Sequence, residues 1–345
     1  MMDPVQTTTM MFTEAAQSPQ VVQVQLDRNA ETVKRIGRKL RQIKPGFILT
    51  CARGSSDHAA TYAKYLLETR TGLFTVSAAP SINSVYETPM NYSGCVCLVI
   101  SQSGASPDLL STAAAAQKGG AYVIALVNVA DSPLALLADE VLELHAGTES
   151  SVAATKSFIA SIAAVIHLLT AWRDEPALHE ALHRSPHSLQ RAWEADWSAA
   201  MEPIAKSRDL FVLGRGLGLG VAYETALKFK EVCGLHAEGL SSAEVLHGPV
   251  TIARAEFPVL VLAQNDQTFS GIQKLVGQLA QRDVSLITAG VHHDGAINLP
   301  THIDHPVIEP MLRILSFYRM ANHLSLELGL NPDCPPFLNK VTSTV

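Results

Sequence analysis

At 345 residues, with 47% hydrophobic and 17% charged residues, the chain can bury two cores and is too apolar to be disordered. Its net charge of −6, with no basic run, argues against nucleic acid as the main partner. No apolar run reaches the ~18 residues of a membrane span, the N-terminus lacks the basic-then-apolar order of a signal peptide, and the five cysteines form no CxxC pair. The expectation is a cytoplasmic protein with reduced, mostly buried thiols.

In chain order, the first nine or ten residues read as loose, and residues 11–43 as helical, with Ile36 and Leu40 at helical spacing and Pro45-Gly46 as the stop. A strand over 47–51 runs into the small-residue turn Arg53-Gly54-Ser55-Ser56 and a helix over 57–67. The continuous apolar run CVCLVI (95–100) predicts a strand covered on both faces. It ends in Ser101-Gln102-Ser103-Gly104, after which Ser106-Pro107-Asp108 opens a helix to about Gln117 with proline at its first position. Further strands are expected over 122–127 and 141–144, and a long apolar helix over 155–172.

Residues 173–186, rich in charge, histidine and proline, read as a linker, followed by a connecting helix over about 188–206. The second half then repeats the first in outline. LFVLGRG answers FILTCARG, and PVLVLAQNDQTFSGIQKLVGQLAQRDVSLITAG answers CLVISQSGASPDLLSTAAAAQKGGAYVIALVN. This predicts a duplicated α/β unit, each half a parallel sheet with helices on both faces. A last helix over 310–328 leads to the tail NPDCPPFLNKVTSTV. The expected division is 1–43 (helical segment), 44–172 (first domain), 173–206 (linker and connecting helix), 207–329 (second domain) and 330–345 (tail).

Two stretches could carry chemistry. The Ser101–Ser106 turn lies at the carboxyl end of a buried strand and the N-terminus of a helix, where free N–H groups and the helix dipole favour an anion. Three hydroxyls and no lysine suit a phosphate monoester better than a nucleotide, since a P-loop needs GK[ST]. Taken alone, the turn is as readily a serine-rich helix cap. Gly54-Ser55-Ser56 is the same device one strand earlier, and the 146–151 turn is a third. In the second stretch, LGRGLGLGVAYETALKFKEVCGLHAEGLSSAEVLHGP (213–249), a helix places Glu224, Lys228 and Glu231 near one face, and His247 stands before Gly248-Pro249. By itself this is a solvated Glu/Lys face at least as readily as a carboxylate base kept ionised by a lysine.

Other motifs fail. The glycines at 214–220 give no GxGxxG, His236-Ala237-Glu238 has no PCxxC to make a zinc deaminase, and His292-His293-Asp294 reads as a surface loop. No metal or organic cofactor is implied, and no helix-turn-helix precedes the first sheet.

Taken together and in order, CARGSSDHAATYAKYLLE, SQSGASPD, AGTESSVAATKSF, the 213–249 stretch and FLNKVTSTV resemble the sugar-isomerase (SIS) domain pair, in the form found in the isomerase half of glucosamine-6-phosphate synthase. The resemblance runs from about residue 11 onward. It implies two tandem flavodoxin-like SIS domains and a phosphorylated sugar as ligand. It further implies that Ser101, Gln102 (through its backbone), Ser103 and Ser106 grip the phosphate, and that Ser56 and Val152 touch the sugar. Glu231, with Lys228 beside it, matches the base that moves a proton between C1 and C2. His247 matches a ring-opening histidine supplied by the partner subunit, which makes a homodimer with shared sites the expectation. Lys340 matches the tail lysine that contacts the open-chain sugar and in the synthase can form an imine with the ketose.

Two positions depart from that pattern: Ala154 stands where the synthase has serine, and Ser106 where it has threonine. The resemblance does not extend to a glutaminase domain. The expectation is therefore the reaction that needs none, an isomerising deamination of glucosamine-6-phosphate to fructose-6-phosphate and ammonia. A deglycase acting on phosphorylated fructosamines, a simple phosphosugar isomerase and a binding-only regulator are the alternatives.

Overall fold

A computed structural model of the chain describes residues 8–340. Most of the N-terminal stretch read as loose, and the last five residues of the tail, lie outside that range. Two five-stranded, fully parallel sheets organise the chain. The first holds β1 (Phe47–Cys51), β2 (Thr75–Ser77), β3 (Cys95–Ser101), β4 (Tyr122–Val127) and β5 (Glu140–Glu143), in the order β2-β1-β3-β4-β5. The second holds β6 (Asp209–Gly214), β7 (His236–Ser241), β8 (Pro258–Leu262), β9 (Ser285–Ala289) and β10 (Ile297–Leu299), in the order β7-β6-β8-β9-β10. Counted within each half, both orders are 2-1-3-4-5, the flavodoxin-like arrangement. The duplicated α/β architecture expected from the sequence is the fold.

The central strands form where the sequence is continuously apolar. All seven residues of β3 are buried, as are all five of β8, because helices cover both faces of a parallel sheet. In the first sheet Leu49, Cys97, Val99, Val123 and Ala125 pack against Leu109 and Ala113 of the Pro107–Lys118 helix. In the second, Phe211, Val259, Val261 and Leu286 pack against Ile272, Leu275 and Val276 of the Phe269–Leu279 helix. β2, β7 and β10 were not foreseen. Each is short or edge-placed with at least half of its residues outside the core, so none shows the apolar run that reveals a central strand.

The chain divides into two compact units. One contains the first sheet, within residues 20–148 and 156–184. The other contains the second sheet, within 185–340, and also takes in residues 8–19 and 149–155. The stretch read as a linker, 173–186, is mostly helix: Pro176–Glu194 is continuous, with Pro186 inside it. In place of one connecting helix to residue 206 the structure has this helix, then a short turn and Met201–Ala205. The helices foreseen over 11–43 are Met10–Ala16 and Ser18–Ile43. Among the described residues no helix is long and apolar enough to cross a membrane.

Candidate active site

In a 2-1-3-4-5 sheet the strand order reverses between the first and third strands, and a crevice opens at their carboxyl ends. In the first sheet that place lies between β1 and β3, which pair in register with Cys51 opposite Val99. The two polar turns found in the sequence follow these two strands. Ser56 is half-buried in the first turn of the Ser55–Thr71 helix, after β1. Ser101 is buried at the end of β3, with Gln102, Ser103 and Ser106 half-buried beyond it.

The Ser101 hydroxyl accepts the Gly104 N–H at 3.1 Å and so shapes the turn. Gly104 itself has φ +62°, and a Cβ there would meet Ser132 Oγ at 2.1 Å, so only glycine fits. Ser106 is the N-cap of the Pro107–Lys118 helix, yet its side chain makes no capping hydrogen bond. Its hydroxyl is therefore not committed to the helix end it adjoins. Asp108, fully buried in the first helical turn, accepts a 2.8 Å hydrogen bond from Arg53 Nε, which fastens the β1 turn to the β3 turn and leaves half of the arginine exposed beside them. The hydroxyl turn was legible in the sequence; the Arg53–Asp108 tie was not.

The second sheet has the same crossover, but there the turns after β6 and β8 are tied by Gln264: 1% exposed, it donates from Nε2 to the Arg215 carbonyl at 2.8 Å and to Asp266 at 2.9 Å. A Cβ on Gly218 would meet Gln264 Oε1 at 2.6 Å. The hydroxyl turn of the first sheet is thus answered in the second by a buried amide.

The second unit carries a charged array of its own. The Gly218–Cys233 helix follows β6 and carries Glu224, Lys228 and Glu231 on one face, as the spacing predicts. Lys228 Nζ lies 3.3 Å from Glu224 and donates a hydrogen bond to Glu231. The side chains of Glu224 and Lys228 are 0% and 1% exposed, whereas Glu231 keeps 19%. This is not a solvated charge ladder. Two members are inside the protein and only the third can meet a ligand. Burial would push the Lys228 pKa down, but Glu224 and Glu231 outweigh it and hold it above the ordinary lysine range. Lys228 is thus a fixed cation. Behind it, the Tyr318 hydroxyl donates to Glu224 Oε1 at 3.2 Å. Burial, then the Glu224 charge, raise the Tyr318 pKa well above its usual value, so it stays a donor.

Residues 149–155 form a loop belonging to this same unit. Glu14, on the Met10–Ala16 helix, accepts the N–H groups of Ser150 and Ser151. The N-terminal helix therefore shapes this loop. Glu149, with a fully buried side chain, accepts the Thr155 N–H at 3.0 Å and the Lys340 ammonium at 3.2 Å; Lys340 also donates to the Ser151 carbonyl at 2.7 Å. The tail lysine is thus tied down next to half-buried Val152. Neither Glu14, Glu149 nor Tyr318 was singled out from sequence, because Ser150, Lys340 and Glu224, which they meet, are 136, 191 and 94 residues away from them.

His247 ends the Glu244–His247 turn and is exposed. Right-handed crossovers place the β6–β7 and β7–β8 connections on opposite faces of this sheet, because β7 and β8 flank β6 on opposite sides. Glu231 lies in the last turn of the β6–β7 helix, towards the amino ends of the strands. His247 follows the carboxyl end of β7 on the other connection, where nearby Val245 packs with Val259 and Ile272. One chain does not bring them together. Among the described residues no group of three His, Cys, Asp or Glu is placed to hold a metal ion.

Comparison with known proteins gives this geometry a family. The SIS domain model matches residues 41–171 and 203–291. The glutamine–fructose-6-phosphate aminotransferase (isomerizing) of Aquifex aeolicus is 30% identical over 344 residues, covering 96% of this chain but 57% of that protein. The chain thus spans little more than half the length of that relative. A crystal structure from Silicibacter pomeroyi DSS-3, of a protein designated a phosphosugar isomerase, is 40% identical with a TM-score of 0.90, covering 94% of this chain and 100% of that one. The glucosamine-6-phosphate deaminase of Thermotoga maritima superposes with a TM-score of 0.78 over 97% of this chain and 100% of its own, at 18% identity, a likeness of fold alone. The chain belongs to the SIS domain family, and carries the SIS portion of the longer aminotransferases.

Proposed function

We propose that the protein binds a phosphorylated sugar and moves a proton between its C1 and C2, with Glu231 as the base. The observation that carries this is the Glu224–Lys228–Glu231 array: a buried, permanently charged lysine holds a carboxylate that is the one member of the three to keep any sizeable exposure, 19% of its side chain. A surface helix has no need to bury two of three charges, and a sugar sensor needs the phosphate turn without a base. The designations of the Aquifex and Silicibacter relatives fit the same chemistry.

In this reading Ser101, Ser103, Ser106 and the Gln102 backbone take the phosphate, and Ser56 and Val152 contact the sugar. His247 of a partner subunit assists ring opening. The topology supports a shared site: the helix rises about 1.5 Å per residue, so Gly218 to Glu231 covers about 20 Å along the sheet, away from the chain's own His247. The native unit is then a homodimer.

The finer reading is an isomerising deaminase. Glu231 takes the C2 proton of open-chain glucosamine-6-phosphate and returns it at C1 through an enolamine. Water then hydrolyses the C2 imine, releasing ammonia and leaving fructose-6-phosphate. The Silicibacter relative's designation favours a second reading, aldose–ketose isomerisation without amine loss. Ammonia release from glucosamine-6-phosphate, and solvent-deuterium exchange at C1 of fructose-6-phosphate, measured with wild type and Glu231→Gln, separate them. Release and exchange that both vanish in Glu231→Gln establish the deaminase. Exchange without release leaves the isomerase, and neither activity overturns the base.

A further inference from the structure

Lys340 does not float at the chain end. Its ammonium is shared between the Glu149 carboxylate and the Ser151 carbonyl, at 3.2 and 2.7 Å, and a quarter of its side chain remains exposed. The two acceptors are chemically unequal. A peptide carbonyl can accept a hydrogen bond but cannot take the proton in water, whereas a carboxylate can. The carboxylate is also aimed. Glu149 Oε1 is fixed by the Thr155 N–H at 3.0 Å, so Oε2 faces the lysine, and the loop that carries both is clamped by Glu14 through the N–H groups of Ser150 and Ser151. A buried carboxylate oriented by its own loop onto a partly exposed amine is the arrangement that an amine nucleophile needs, because only its unprotonated form attacks a carbonyl.

We infer that Glu149 is the positioning and proton-exchanging partner of Lys340. It holds the ammonium at rest, and takes its proton when Lys340 adds to the C2 carbonyl of an open-chain ketose phosphate. The step balances. Proton transfer gives the amine and the neutral acid, and the amine's lone pair forms the C–N bond as the carbonyl pair moves to oxygen. That alkoxide takes a proton shed by the new C–N nitrogen, giving the neutral carbinolamine. Glu149 returns its own proton to the departing hydroxyl. The products are a protonated imine and water, with Glu149 again a carboxylate. The inference rests on the phosphosugar reading above, and adds a residue to which neither the sequence motifs nor the relatives' designations assign a role. Glu149 meets the substrate only once it is joined to Lys340, at the carbinolamine hydroxyl.

Reductive trapping tests it. Wild type incubated with fructose-6-phosphate and cyanoborohydride should gain one hexitol phosphate adduct, mapped by mass spectrometry to Lys340. Glu149→Gln keeps an acceptor for the Thr155 N–H but cannot take a proton. Its trapping at neutral pH should be about 10²-fold slower, the size of a general acid–base contribution, and should recover as alkali deprotonates the amine. Lost packing alone would give no such pH-dependent recovery. Should Glu149→Gln not fold, Glu149→Asp carries the comparison: its retracted carboxylate should slow trapping while leaving the wild-type pH profile. Equal rates and profiles in wild type and variant overturn the inference, as does an adduct elsewhere. Deuterium exchange at C1 in the same samples keeps the two readings apart. Exchange without any adduct sinks the role of Glu149 alone, whereas no exchange in wild type sinks the phosphosugar reading itself.

Discussion

Lys228 Nζ and Glu224 Oε1 stand 3.3 Å apart one helical turn from each other, and both side chains are shut away from solvent. A pair so placed is an internal electrode: its position is set by the core and its charge does not vary near neutrality, since the surrounding carboxylates hold the Lys228 pKa up.

Replacing Lys228 by methionine takes the lysine ammonium away from buried Glu224. Breaking such a pair from one side costs about 3–5 kcal/mol, whereas replacing both partners by apolar groups of similar volume is often close to neutral. Urea denaturation should therefore find Lys228→Met strongly destabilised and the Lys228→Met/Glu224→Leu double variant partly restored. Both should lose activity, because Glu231 has lost its partner. A double variant no more stable than the single one would mean that the pair contributes mainly by shape.

The separation of Glu231 and His247 across one sheet predicts complementation between subunits. Glu231→Gln and His247→Ala should each be inactive on cyclic substrate. Mixed under conditions that exchange subunits, they should regain about a quarter of wild-type activity, because about half the dimers are hybrids with one intact site each. Mixing that restores nothing, with exchange verified by mass, would place His247 outside the site.

Acid should destabilise the first-sheet unit through His167. This ring is buried on the Lys156–Arg173 helix, its Nδ1 has no hydrogen-bond partner among the described residues, and His183 and His179 lie with ring centroids 5.9 and 6.4 Å away. Burial first, then those two histidines, pushes its pKa down to about 4. An unfolded histidine titrates near 6.5, so between 6.5 and 4 the unfolded chain binds the extra proton. The contribution is fully present above pH 6.5 and is lost as the pH falls towards 4, by up to about 3 kcal/mol. Stability measured by denaturant between pH 7.5 and 4.5 should fall with that slope, and His167→Leu should flatten it by about one proton. An unchanged slope would assign the acid sensitivity to other groups.

The sequence by itself determined the doubly wound architecture. The all-apolar runs at β3 and β8 and the helical spacings between them are local patterns, and burial on both faces follows from them. It also determined the Ser101–Ser106 turn and the shared face of Glu224, Lys228 and Glu231, since strand ends and i,i+4 spacing are likewise local. The tertiary structure decided what those features are. The helix face could have been a solvated ladder until packing buried Glu224 and Lys228 and left Glu231 at the surface. The corresponding turns of the second half could not be told from those of the first until the fold tied them through buried Gln264. Edge strands β2, β7 and β10 left no apolar signature, and the Pro176–Glu194 helix ran through a stretch that charge and proline made look like a linker. Lys340 and Glu149 are 191 residues apart, and only the fold could choose that carboxylate over the chain's others. Periodicity reports which side of an element faces inward; which partner waits there is settled by long-range packing, and the chemistry depends on the partner.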